Sequence, residues 1–88
     1  MEVVYLKSFS KDLDKINNKK LKESLLELIE NCKSANSISE LAGSKRLVGF
    51  RTAYRIRVGN YRVGVFFEDN CVTFARVLHR KDIYKLFP

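Results

Sequence analysis

Between Ala53 and Phe67 the character of the chain alternates residue by residue. Tyr54, Ile56 and Val58 are separated by Arg55 and Arg57; after Gly59-Asn60, Tyr61, Val63, Val65 and Phe67 are separated by Arg62, Gly64 and Phe66. A period of two describes a strand with one face on a core and the other in water. Two interrupting residues that begin with Gly suit a type II′ turn, so the segment reads as a hairpin. With Gly59 and Asn60 as the loop, Val58 faces Tyr61, Arg57 faces Arg62, Ile56 faces Val63 and Arg55 faces Gly64. Slipping by one residue would turn every side chain over, so the apolar set pins the register. Ile56 and Val63 then point to the core. Arg55, Arg57 and Arg62 share the opposite face, the first two about 7 Å apart along their strand.

The other elements follow from local pattern. Glu2 to Lys7 contains the short apolar run Val3-Val4-Tyr5-Leu6 and reads as a strand. Phe9, Leu13 and Ile16 have helical spacing, with Ser8 or Ser10 available as a cap. Asn17-Asn18 ends that helix. Leu21, Leu25, Leu28, Ile29 and Cys32 form one stripe of a second helix, whose other face carries Lys22, Glu23, Glu27 and Glu30. Ser34 to Ser44 is rich in Ser, Asn and Gly and reads as a connection. Glu68-Asp69-Asn70 marks a further turn before a strand over Val72 to Leu78. His79 to Phe87 is a short tail that Ile83, Leu86 and Phe87 can tie down. The expected fold is α+β in the order β-α-α-β-β-β: two N-terminal helices on one face of a largely antiparallel four-stranded sheet. The second turn leaves one register open. A three-residue loop puts Arg76 opposite Arg62; a two- or four-residue loop puts Val77 there and turns Arg76 to the helices.

Charge is segregated along the same division. Residues 1–43 hold seven Lys and seven acids, whereas Ser44 to Pro88 holds all seven Arg, three Lys and three acids, so the whole +7 excess lies there. Arg presents a planar donor fork that fits phosphate. No acid lies between Glu40 and Glu68 to neutralise the hairpin. The repeat of Arg55 and Arg57 is close to that of phosphates on an extended RNA strand, and nucleic acid is the expected anion. Eighty-eight residues make a single domain, 1–88. No apolar run reaches the ~20 residues of a membrane span, and no signal peptide is recognised, so the expected location is the cytoplasm. Cys32 and Cys71 lack paired metal-ligand spacing and read as buried thiols; no metal and no cofactor are expected.

The end of the chain supplies groups suited to proton transfer. His79 is the sole histidine, Arg80 follows it, and Tyr84 comes four residues after Arg80. A His titrates near neutrality, an Arg can stabilise a phosphoryl oxygen, and a Tyr can carry a proton or stack a base. These parts suit RNA cleavage by the strand's own 2′-hydroxyl. That route needs a base, an acid and cations for a dianionic phosphorane, and no metal.

Tyr54-Arg55-Ile56-Arg57-Val58-Gly59-Asn60-Tyr61-Arg62 and Arg76-Val77-Leu78-His79-Arg80-Lys81-Asp82-Ile83-Tyr84 resemble the corresponding blocks of the RelE/ParE toxin superfamily. The resemblance extends over the whole chain. It implies the toxin of a type II toxin–antitoxin pair, a ribosome-dependent endoribonuclease that cuts mRNA and so inhibits translation. Its implied partners are a cognate antitoxin, mRNA and the ribosome, with no membrane and no small-molecule cofactor. By position it implies catalytic roles for Arg57, Arg62, His79, Arg80 and Tyr84 and a basic contact at Arg55; the other cations of the basic half, Lys45, Arg46, Arg51, Arg76 and Lys81, are the further RNA contacts that the charge pattern leads us to expect. Arg55 and Arg57 match the two basic residues of the family's second strand; both are Arg here, where the founding member has Lys. Arg stays protonated, so proton transfer falls to His79 or Tyr84. Leu78 also stands where the family usually has Gly. The alternatives are a ParE-like toxin that poisons DNA gyrase without cutting RNA, and a degenerate member that retains only antitoxin binding.

Overall fold

The computed structural model describes all 88 residues. In chain order the elements are β1 (Glu2–Tyr5), α1 (Lys7–Asp14), α2 (Lys19–Ser34), β2 (Ser44–Arg46), β3 (Ala53–Val58), β4 (Tyr61–Glu68), β5 (Cys71–His79) and α3 (Ile83–Leu86). The strands form one five-stranded sheet in the order β1-β5-β4-β3-β2. β1 runs parallel to β5, and the remaining pairs are antiparallel. The expected α+β class holds, with one strand more than anticipated. That strand, β2, begins at the end of the segment expected to be a connection; the same segment contains a 3-10 turn at Ile38–Glu40 closed by a Ser37/Glu40 capping box.

The β3–β4 hairpin has the predicted register, from Val58 opposite Tyr61 to Arg55 opposite Gly64. Gly59 has φ +58 and Asn60 does not have positive φ, which is the pattern of a type II′ turn. At the second turn Asp69 and Asn70 both have positive φ, so the loop has two residues and Glu68 pairs with Cys71. The loop length is one of those anticipated, and Arg76 does reach α1, where Asp12 accepts from it, but Val77 does not face Arg62. An irregularity between Gly64 and Val65 leaves Ala75 as an extra residue, and Arg62 pairs with Leu78. Such a bulge reverses the side-chain phase of everything beyond it.

α1 and α2 cover one face of the sheet. Leu21, Leu25, Leu28 and Cys32 of α2 pack with Phe9, Ile56, Val63, Val65, Val72, Phe74 and Val77 in the main core. Phe9 meets Phe74 edge to face, with ring centroids 5.3 Å apart. Asn18 caps α2 by accepting from the Leu21 amide at 3.0 Å. α1 has no serine cap: it starts at Lys7 directly after Leu6, whose amide still donates to the Phe74 carbonyl. Ser8 instead donates its hydroxyl to the Ala75 carbonyl at 2.6 Å. Asp12, only 6% exposed, accepts from the Val77 amide and from both Nε and Nη2 of Arg76. Beyond the short β1, side chains of α1 therefore continue the hydrogen bonding along the open edge of β5.

The opposite face carries α3, which the expected two-helix layer lacked. Ile83 and Phe87 enter a small cluster with Ala53 and Ala75, while Leu86 remains exposed. Of the two cysteines, Cys32 is fully buried, and burial pushes its thiol from 9.0 up to about 11, partly offset by the nearby terminal ammonium. Cys71 is only half-buried, because it opens β5 at the sheet end rather than in its middle. No helix is long and apolar enough to cross a membrane.

Candidate functional site

Strand phasing gathers the arginines. Arg55 and Arg57 on β3 and Arg62 on β4 point away from α1 and α2, on the face that bears α3. Arg62 folds back over the hairpin turn, its Nη1 donating to the carbonyls of Gly59 at 3.0 Å and Tyr61 at 2.9 Å. Arg80, just beyond β5, is held to the same turn by its amide, which donates to the Asn60 carbonyl at 2.9 Å. The Arg62 guanidinium loses its proton more easily than usual, first because of desolvation and then because of the charges of Arg57, Arg55 and Arg80. These four cations thus occupy one electrostatic neighbourhood, and none has a carboxylate partner; the ion pairs of the molecule are Lys33–Glu30, Arg51–Glu68 and Arg76–Asp12. A uniform cluster of cations without acids costs folding energy through mutual repulsion. Its natural complement is a polyanion.

Tyr84 joins this face. Its ring is 63% exposed, and the Arg55 guanidinium lies over it at 5.0 Å from the centroid. The segment reaches this position because Ile83 and Phe87, on either side of Tyr84, are buried against the sheet.

His79 stands elsewhere. It pairs with Tyr61, and their rings meet edge to face at 5.6 Å. Tyr61 and Val58 pack against the main core, so this is the helix-bearing side of the sheet. The His79 Nδ1 accepts from the Lys81 amide at 3.2 Å. The expectation that His79 stands beside the arginines is therefore corrected, and the bulge at Ala75 is the cause. Without it Leu78 would face Tyr61, and His79 would fall on the arginine face.

The other basic residues divide. Lys45 pairs with Arg55 across β2 and β3, and together with Arg46 they border a groove of about 490 Å³ reaching Tyr84. Arg51 is engaged by Glu68 at 3.3 Å, and Lys81 is exposed in the turn after β5. Arg76 is tied to Asp12 at 2.7 Å and is not a free cation; that contact raises its pKa further. Sequence reasoning missed Val48 and Phe50, which line the same groove and are 94% and 49% exposed. The signal was available: Leu47-Val48-Gly49-Phe50 is an apolar run set between Arg46 and Arg51. It also missed Asp12, whose burial depends on a partner 64 residues away. No three His, Cys, Asp or Glu side chains converge as metal ligands would.

Comparison with known proteins shows the family. The model of the ParE toxin of type II toxin–antitoxin systems matches residues 3–84. Toxin RelE3 of Methanocaldococcus jannaschii is 40% identical over 89 residues, covering 100% of both chains. A second protein of that organism, putative toxin RelE1, is 36% identical over 77 residues, covering 85% of this chain and 81% of its own. The fold superimposes on a chain of the RelB–RelE antitoxin–toxin complex from Methanococcus jannaschii with a TM-score of 0.82 and 38% identity, covering 97% and 99% of the two chains. With a matching fold, a family model spanning nearly its whole length and a full-length relative, this chain belongs to the RelE/ParE family of type II toxin–antitoxin toxins.

Proposed function

We propose that this toxin is a ribosome-dependent endoribonuclease that inhibits translation in the cytoplasm by cutting mRNA, and that a cognate antitoxin restrains it. The observation that carries this reading is the set Arg55, Arg57, Arg62 and Arg80, free of carboxylates, with an exposed Tyr84 stacked on its Arg55 member. In the reaction the 2′-oxygen bonds to the adjacent phosphorus and the bond from phosphorus to the 5′-oxygen breaks. This leaves a cyclic phosphate and a 5′-hydroxyl. The 2′-hydroxyl gives up a proton and the departing 5′-oxygen takes one. Arg57, Arg62 and Arg80 stabilise the dianionic phosphorane between those events. Tyr84, exposed on the arginine face, serves the proton transfer; Arg55 holds its ring. Lys45, Arg46 and Lys81 add general attraction for the message. Solved relatives occur as antitoxin–toxin complexes, and an acidic antitoxin segment would complement this face.

The test is to supply purified protein to programmed ribosomes and map the message ends. Cleavage is expected with wild type. Tyr84→Phe should slow it by at least about tenfold, general acid–base groups being worth 10²–10⁴. His79→Gln should leave it near wild type. The reverse order would move the proton transfer to His79. A second reading, a gyrase-poisoning toxin, is favoured by the ParE description of the matching family model. Inhibition of gyrase supercoiling with intact message would select it, and intact message with unaffected gyrase would select a member that only binds its antitoxin.

A further inference from the structure

We infer that Gly64 is a positioning residue for Tyr84, acting through Phe87; as a statement about catalysis this rests on the cleavage reading, and as a statement about geometry it does not. Three neighbouring strands present small residues on the α3 face: Ala53 on β3, Gly64 on β4 and Ala75 on β5. Phe87 fills the socket they leave. A β-carbon built on Gly64 would sit 2.6, 2.7 and 2.8 Å from the Cγ, Cδ2 and Cδ1 atoms of that ring, where ordinary contact begins at 3.4 Å. The ring therefore rests on bare backbone. Gly64 has no positive φ, unlike Gly43, Gly49 and Gly59, so its backbone conformation is open to other residues. Close approach of Phe87 is the reason for glycine here.

The consequence is geometric. Gly64 lies between Arg55 and Arg76 in the ladder and two residues from Arg62. Phe87 donates its amide to the Ile83 carbonyl at 2.9 Å, closing the single turn that carries Tyr84. Phe66 borders the ring at 5.2 Å, and Ile83 is 2% exposed in the same cluster. Lifting Phe87 by the difference between 2.6 and 3.4 Å tilts that turn and shifts Tyr84 relative to Arg55. Misplacement on the order of 1 Å at a reacting group can cost about 10²-fold in rate. The arginines themselves stay on strands that the substitution does not move.

The experiment compares wild type, Gly64→Ala, Phe87→Ala and the double variant Gly64→Ala/Phe87→Leu. Two readouts are taken: kcat and KM on programmed ribosomes, and the ring-current shift that Tyr84 imposes on Arg55 side-chain protons in NMR. Gly64→Ala is expected to lower kcat by about 10²-fold with KM unchanged, and to abolish the shift. The double variant, with a smaller side chain over the new methyl, is expected to recover much of both. Phe87→Ala, which empties the socket, should resemble Gly64→Ala and carries the test if the latter fails to fold. An unchanged shift in Gly64→Ala, or no recovery in the double variant, would overturn the inference. If wild type cleaves nothing while the shift responds as described, the positioning role stands and the cleavage reading falls.

Discussion

The two faces of the sheet are built on opposite terms. Beneath α1 and α2 the side chains are large, apolar and closed: Phe74, Ile56, Val63, Val65 and Val72 have no exposed surface, and Phe9 and Leu25 have 2%. On the α3 face the central strands carry Ala53, Gly64 and Ala75, and Arg55, Arg57 and Arg62 have no carboxylate partner. Folding energy is concentrated on the first face and binding potential on the second. Their shared backbone lets a rigid layer hold repelling cations in place. Preorganised cations stabilise a developing anion without reorganising when it forms, which is what such a layer permits.

Substitutions on the two faces should therefore separate stability from activity. Phe74→Ala is expected to have the largest effect, lowering the unfolding free energy by about 3–5 kcal/mol in denaturant titration while leaving the arginine face intact in whatever fraction is folded. A loss below about 1 kcal/mol would show that the helical face is not the seat of stability. Arg62→Ala and Arg80→Ala are each expected to slow message cleavage by about 10²–10³-fold, by removal of a cation from the phosphorane, with thermal unfolding unchanged or slightly raised as repulsion is relieved. If either variant unfolds at markedly lower temperature, the arginine face contributes to the scaffold and the division is blurred. The smallest effect is alkaline. The unfolded Cys32 thiol ionises near 9.0, while the folded one holds its proton to about 11. Between those values the unfolded chain binds fewer protons, so stability falls as pH rises, by an amount on the order of 2–3 kcal/mol. Unfolding of wild type and Cys32→Ala compared at pH 8 and pH 11 should show that extra loss in wild type alone.

The hairpin was legible in the sequence because everything that determines it is local: a period of two, a Gly at the turn and an apolar set that permits one register. The arginine face followed from that register. What escaped was set by long-range contacts. β2 is only three residues, and it is a strand because β3 offers it an edge, not because Ser44-Lys45-Arg46 has a pattern. The bulge at Ala75 lies where two distant segments meet the sheet, Phe87 against Gly64 and Asp12 of α1 on the Val77 amide, and neither is visible in the local pattern. One trace of it was present: Val72 and Phe74 are two apart, but the next core residue, Val77, is three further on. Reading that break would have put His79 on the far face from Arg57 and Arg62. Phase errors of this kind matter most for residues past the last turn, where nothing downstream restores the count.

Ser8 and Asp12 of α1 bind the backbone of β5 at Ala75 and Val77, where β1 has already ended. A sheet border with free amides and carbonyls is a template for recruiting another strand, and hence for aggregation. Here a helix occupies that border with side chains in place of a strand, and the occupying Asp12 is itself clamped by Arg76. The molecule can thus keep its longest strand from templating foreign β-structure when it stands alone, without a partner chain to shelter it.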